Sequence, residues 1–246
     1  MNDNELLRYS RQIMLPEVEI EGQEKILAAH VAIVGLGGLG SPVALYLAAA
    51  GVGHLTLIDD DVVDASNLQR QIAHYEDSLN ESKVDSAARA ISNINSATQI
   101  SRCYERLTTK DLCNVASRAD VLVDGTDNFA SRYQVNEASL STRTPLVSGA
   151  AIRMEGQIAV FDPREDSSPC YRCLYRDGSS EDLNCAENGV VAPLVGIVGS
   201  VQAMETMKLI CGFSESSVGW VHYLDAKRME WRKLRLKKNS KCPSCS

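Results

Sequence analysis

The stretch Val31-Ala32-Ile33-Val34-Gly35-Leu36-Gly37-Gly38-Leu39-Gly40 decides how the rest of the chain is read. Four consecutive apolar residues are what a strand buried on both faces of a parallel sheet requires. The run stops at a turn of the form G-x-G-x-x-G, and residues 40–50 then carry a helical apolar pattern. A second strand, residues 54–59, ends on Asp59 and completes a βαβ unit. In this setting Gly35, Gly37, Gly38 and Gly40 let backbone approach a phosphate, and the helix N-terminus adds N–H groups and the positive end of its dipole. A carboxylate at the tip of the second strand, here Asp59, can hold ribose hydroxyls. The turn points to a nucleotide rather than to a merely tight connection, but alone it does not choose between NAD and ATP.

Working outward, helical patterns at 82–93, 109–118 and 129–140 alternate with strands at 99–103, 121–124 and 145–150. That order favours a parallel, doubly wound sheet. Two leader helices, 4–11 and a stretch around 22–29, precede it. Beyond residue 150 the character changes. The strand 156–161 has no helix before it, so antiparallel pairing through a hairpin is expected. A helix at 196–210 and two late strands, 220–225 and 229–236, complete the chain. The expected fold is therefore α/β: a Rossmann-like doubly wound mixed sheet, parallel in its N-terminal half and antiparallel in its C-terminal half. One domain is expected over 1–246, with 1–150 as the nucleotide-binding half.

Of the 246 residues, 44% are hydrophobic and only 5% aromatic, ordinary for an Ala-, Val-, Leu- and Ile-rich α/β protein. The net charge of −7 argues against a nucleic-acid binder, and the basic run 232–241 reads as a solvated strand and tail. No apolar run approaches the roughly 20 residues that cross a bilayer, and residues 1–11 lack a signal-type stretch. A cytoplasmic protein with no membrane partner is the expectation.

After Asp59, the residues Asp61, Asn67, Arg70 and Lys83 add two cations and an amide near the same sheet edge. A dehydrogenase has little use for them, whereas a triphosphate needs its α-phosphoryl group oriented and its leaving pyrophosphate stabilised. Taken singly, each also reads as an ordinary surface charge. Asp127, in Val123-Asp124-Gly125-Thr126-Asp127-Asn128, falls at the carboxyl end of a parallel strand. It reads equally as a Mg²⁺ ligand or as a helix N-cap.

The pairs Cys170-Tyr171-Arg172-Cys173 and Cys242-Pro243-Ser244-Cys245 have the ligand type and spacing of a closed, structural Zn²⁺ site. A redox pair is the weaker alternative, because two such pairs are present. Cys185, in the acidic stretch 177–188 that reads as an exposed loop, is either a nucleophile or sulfur acceptor or an incidental thiol.

Together these features resemble the MoeB/ThiF family of adenylyltransferases, relatives of ubiquitin-activating enzymes. The resemblance is carried by Arg8-Tyr9-Ser10-Arg11-Gln12, the glycine turn, Ser66-Asn67-Leu68-Gln69-Arg70-Gln71, Thr126-Asp127-Asn128 and the two cysteine pairs. It implies ATP-dependent adenylation of the C-terminal carboxylate of a small ubiquitin-fold carrier protein ending in Gly-Gly. It implies Asp59 on the ribose; Asn67, Arg70 and Lys83 on the phosphates; Asp127 on Mg²⁺; and Arg11 reaching the other subunit's site in a homodimer. Asp61, Ser66, Leu68, Gln69 and Asn128 belong to the same nucleotide-contacting stretches. The carrier's tail would thread under the loop 177–188, and residues 151–246 would form the carrier-binding half with the zinc site.

The stretch Ser148-Gly149-Ala150-Ala151-Ile152-Arg153-Met154-Glu155-Gly156-Gln157 looks more like the molybdopterin-synthase activators than the thiamine-pathway ones. No rhodanese-like extension follows Cys245, so sulfur is expected from a separate donor protein. An NAD-dependent oxidoreductase explains the glycine turn and Asp59 but leaves Arg70, Lys83 and the cysteine pairs without a role. A non-catalytic ubiquitin-fold binding module is the third reading, and pyrophosphate exchange separates it from an enzyme.

Overall fold

The computed structural model describes residues 1–176, 189–213 and 217–246. Short apolar runs become strands β1 (His30–Val34), β2 (His54–Ile58), β3 (Gln99–Cys103), β4 (Val121–Asp124) and β5 (Leu146–Ile152). They pair in parallel in the order β3-β2-β1-β4-β5. The sheet continues antiparallel through β6 (Glu155–Phe161), β7 (Trp220–Asp225) and β8 (Glu230–Arg235). The mixed sheet, parallel then antiparallel, is the one read from the pattern of elements.

The helices are α1 (Asp3–Arg8), α2 (Ser10–Ile13), α3 (Glu19–Ala28), α4 (Gly40–Ala50), α5 (Lys83–Ile94), α6 (Thr109–Ala116), α7 (Phe129–Thr142), α8 (Tyr171–Leu174) and α9 (Ala192–Cys211). β1 shows why both sheet faces must be covered. Val31 and Ile33 join a core with Val43 and Leu47 of α4, Ile91 of α5 and Val198 of α9, all buried. Ala32 and Val34 join a second core with Leu112 of α6, Val135 of α7 and Tyr171 of α8. Each fully buried Leu, Ile or Val contributes roughly 1.5–3 kcal/mol, so neither face can be stripped without loss of the fold.

Three expectations shift. The leader helix 4–11 is broken at Tyr9, which is buried and whose hydroxyl accepts from the Asn95 side-chain amide. The late helix begins at Ala192, because Pro193 occupies its first turn, where a missing N–H costs nothing. At 20 residues α9 is also long and apolar enough to cross a membrane by length and composition, contrary to the reading that no run approaches that length. Its apolarity has a local cause: Leu194, Val195, Val198 and Ala203 are buried in the first core. Gln202 on the same helix donates to the carbonyls of Asp124 and Val147 in the sheet.

Candidate functional site

The strand order reverses between β1 and β4, and ligands of open α/β sheets bind at the carboxyl ends flanking such a switch point. A cleft of about 440 Å³ lies there.

The glycine turn forms its floor. Gly35 has φ +87°, and a side chain there would press on the backbone of Gly125; a Cβ on Gly40 would overlap the Gly35 carbonyl. Those two are glycine for the fold. Gly37 differs, since its φ is not in the positive region and an added Cβ would meet only the Gln71 side chain, Nε2 at 3.6 Å and Cδ at 3.9 Å. Nothing in the protein requires glycine at this cleft-lining position, and space reserved beside bare backbone is what a phosphate uses. No side chain caps α4 among the described residues, and the start of the helix lines the cleft through Gly38 and Leu39.

The turn is held from two sides. The Leu36 N–H donates to Asp59 Oδ2 at 2.7 Å, and the Leu36 carbonyl lies 3.0 Å from His74 Nε2, whose other nitrogen meets Ser86 Oγ. Burial lowers the His74 pKa, which favours the neutral ring that this pairing needs. Asp59 also accepts from the Asp61 N–H at 2.9 Å. Its pKa is raised by burial, with Lys83 and the two N–H donors pulling the other way.

Lys83 is set by the start of α5. Ser82 caps that helix, and the Lys83 N–H and Nζ bond the carbonyl and Oδ2 of Asp61, at 3.0 and 2.7 Å. The lysine is 5% exposed while its partner is open to solvent. Asn67 accepts from Gln71 Nε2 at 2.7 Å and from Arg70 Nη2 at 3.4 Å.

On the opposite flank Asn128, not Asp127, is the N-cap of α7, accepting from the Ser131 N–H at 2.9 Å. Of the two readings of Asp127, the N-cap is thereby removed. Among the described residues its exposed carboxylate keeps one hydrogen bond, accepted from Asn128 Nδ2 at 3.4 Å.

The cleft is lined by Gly35, Gly37, Gly38, Asp59, Asp61, Asn67, Arg70, Lys83, Asp127 and Asn128. Gly40 supports the floor from beneath, while Ser66, Leu68 and Gln69 stand outside the walls, as does Arg11, exposed on α2. Residues assigned no role from the sequence also line it. Gln71 is 4% exposed, with no partner for Oε1 among the described residues. Arg132 has no partner for Nε among the described residues, and Arg106 donates to Ser131 Oγ at 3.2 Å. Arg70, Arg106 and Arg132 enter no ion pair among the described residues. The pKa of Arg132 is raised: burial opposes its charge, and Asp124 and Tyr171 outweigh burial. Unpaired cations, orphaned polar atoms and a bare backbone floor together fit a polyphosphate.

The four paired cysteines meet around α8, where Cys170 is the N-cap and Cys173 lies within the helix. Their sulfurs all lie within 4.8 Å of one another, with Cys170–Cys242 at 3.6, Cys173–Cys245 at 3.5 and Cys170–Cys173 at 4.0 Å. Zn–S bonds of about 2.3 Å in a tetrahedron place sulfurs ~3.8 Å apart, so the donor set fits that ion. The Asn239 N–H donates to Cys173 Sγ at 3.4 Å. Cys170 and Cys242 are buried, and burial pushes the Cys170 and Cys245 thiols up. Cys185 and the loop 177–188 lie outside the described residues.

Fold and cleft define a doubly wound α/β protein with a polyanion-sized cavity at its switch point. The chain belongs to the ThiF family, whose model matches residues 9–244. It is 43% identical over 245 residues to the Escherichia coli (strain K12) protein named sulfur carrier protein ThiS adenylyltransferase, covering 100% of this chain and 97% of that one. To the molybdopterin-synthase adenylyltransferase of the same organism it is 44% identical over 245 residues, covering 100% and 98%. Among solved structures it resembles E. coli MccB with ATP at 23% identity and a TM-score of 0.83, over 97% of this chain and 74% of that one, which establishes likeness of fold.

Proposed function

We propose that this protein is an adenylyltransferase that activates the C-terminal glycine carboxylate of a small ubiquitin-fold sulfur carrier with ATP, releasing pyrophosphate. The single observation that carries the reading is the cleft: unpaired cations and a glycine with no steric reason to be glycine, gathered at the switch point of the sheet. The relatives named adenylyltransferases support it. A carrier carboxylate oxygen attacks the α-phosphorus, the bond to the bridging oxygen of the leaving pyrophosphate breaks, and an acyl-adenylate remains. The carboxylate is already ionised at neutral pH, so no protein base is needed. The chain's task is to align the two reactants and to neutralise the departing charge.

In this reading Asp59 holds the ribose, the glycine turn and α4 N-terminus cradle the phosphates, and Asn67, Arg70 and Lys83 neutralise the pyrophosphate. Asp127, free of the capping role, would hold Mg²⁺, which supplies charge neutralisation on the phosphate oxygens. Residues 1–150 bind the nucleotide, and 151–246 bind the carrier and would hold a structural Zn²⁺ through Cys170, Cys173, Cys242 and Cys245. Arg11 stands outside its own chain's cleft, on an arm that exposes Leu7, Met14, Leu15 and Ile20. That placement supports a homodimer in which Arg11 serves the partner's phosphates. Sulfur then arrives from a separate donor protein, and the setting is cytoplasmic.

The carrier we favour is the small subunit of molybdopterin synthase, a MoaD-like protein of molybdenum cofactor biosynthesis, on the strength of residues 148–157. A thiamine-pathway, ThiS-like carrier is the second reading, supported by the relative named for it, 43% identical against 44%. Incubation with each carrier and ATP, followed by mass measurement, tests both. An added AMP on one identifies it, and none on either overturns the proposal.

A further inference from the structure

On the reading above, the phosphates have their own cations on the β2 flank of the cleft, which leaves Arg132 on the other flank without a task. It sits one turn inside α7, its Nη2 donating to the Thr126 carbonyl at 2.9 Å and its Nη1 3.5 Å from the Tyr171 hydroxyl. Asp124, the acidic side chain that acts most on its charge, is already engaged elsewhere. Asp124 is 1% exposed and accepts from the Thr126 N–H, Thr126 Oγ1 and Ser148 Oγ. The guanidinium is thus fixed at two of its nitrogens, and Nε is buried with no acceptor among the described residues. A buried charged donor left unpaired is costly, and one that lines a cleft is placed to be satisfied by what the cleft binds.

The acceptor's identity follows from topology. Arg70 and Lys83 belong to the connection after β2, whereas Arg132 follows β4, which pairs with β5. The apolar residues that line the cleft toward the antiparallel half are Ala151, Val190 and Val195. A peptide entering over that half meets the β4 side of the cleft, where Arg132 stands across from Arg70 and Lys83.

We propose that the Nε–H of Arg132 grips the terminal carboxylate of the incoming carrier tail, holding it over the α-phosphorus, and that Arg132 is a carrier-reading residue rather than part of the phosphate cradle. Tyr171 is its positioning residue. It follows Cys170 directly, and its N–H donates to Asn136 Oδ1 of α7 at 2.8 Å, so the cysteine cluster fixes the tyrosine that steadies the arginine.

The test uses the full chain with whichever Gly-Gly carrier supports pyrophosphate exchange. Arg132→Lys keeps the charge and an Nζ donor within reach of Thr126 but has no Nε–H. The expected result is a rise of about 10-fold or more in the carrier's KM, as loss of one charge-assisted hydrogen bond implies. The Kd for ATP–Mg²⁺, measured by calorimetry without carrier, stays within about twofold. Tyr171→Phe gives the same pattern more weakly, with unchanged zinc content.

An ATP Kd that rises with an unchanged carrier KM would assign Arg132 to a phosphate and overturn the proposal; so would no change in either constant. Should Arg132→Lys fail to fold, Tyr171→Phe decides by the same two constants. Absence of exchange by the wild-type protein with every carrier would instead sink the adenylation reading, an outcome distinct from these.

Discussion

Replacing Gly37 by alanine separates what the glycine turn does for folding from what it does for a ligand. The added methyl carbon would have Gln71 Nε2 as its nearest neighbour, at 3.6 Å, an ordinary contact, and φ is not in the positive region. Removing a glycine where no strain results stabilises a fold by about 0.4–1 kcal/mol, through the unfolded chain's lost freedom. For a protein of this size that is a rise of roughly 1–4 °C in Tm. The same methyl would stand on the cleft floor in the space assigned to a phosphate. Pushing a phosphate oxygen off the α4 N-terminus forfeits at least one charge-assisted hydrogen bond, ~1.5–3 kcal/mol, or about 10- to 100-fold in ATP affinity. Scanning calorimetry and isothermal titration with ATP–Mg²⁺ read the two quantities on one preparation. Gly37→Ala that binds ATP as tightly as the wild type would refute the placement of phosphates against this turn. A Tm lowered by many degrees would refute the argument that the protein itself does not need glycine here. Gly40→Ala is the control, expected not to fold, because its Cβ overlaps the Gly35 carbonyl.

Asp127→Ala should abolish ATP–pyrophosphate exchange with Tm unchanged, since the residue is exposed and Asn128 supplies the helix cap; retained exchange removes the metal role. Mixing Arg11→Ala with Asp127→Ala chains, each inactive alone, should restore about a quarter of wild-type activity if Arg11 acts across a twofold dimer, and none if it acts within its own chain. Cys173→Ser should release one zinc per chain, read by atomic absorption, and lower Tm by several degrees, because structural zinc binding is folding free energy. Acid should weaken the fold. His54, His74 and His222 all have lowered pKa values, caused first by burial. Above the unfolded value near 6.5 they are neutral in both states and contribute nothing to the pH dependence. As pH falls through about 6.5 the unfolded chain takes up protons first, so stability falls until the depressed folded values are passed. His74→Gln should flatten the Tm profile between pH 7 and 5, and an unaltered slope would show that His74 does not report there.

The parallel half of the sheet was legible because its strands are short apolar runs punctuated by glycine, and the antiparallel half because no helical pattern separates 150 from 156. Less legible was α9. Its apolar face is interrupted by Gln202, Glu205 and Lys208, so no uninterrupted run marked it, and Pro193 reads as a boundary until it is seen to sit in the first turn. The glycines, Asp59, Asp61, Asn67, Arg70, Lys83 and Asp127 could be gathered from spacing because each follows a strand or opens a helix at the same sheet edge. Arg132 could not. An arginine one turn into a polar helix has the local pattern of a solvated residue, and only three-dimensional packing shows which atom goes without a partner. Whether Asp127 or Asn128 caps α7 was undecidable for a related reason: both residue types cap helices, and a one-residue offset separates them.

Strand β8, exposed along its whole length, closes the sheet with a cationic margin. Residues 227–241 hold eight lysines and arginines against one glutamate, so a chain of net −7 carries −14 over the remainder. The molecule is therefore electrically lopsided. Two copies brought margin to margin repel, which discourages the open edge from recruiting another sheet. At low ionic strength the same asymmetry orients the whole protein in the field of a charged neighbour, an effect that vanishes once the Debye length shrinks below about 10 Å.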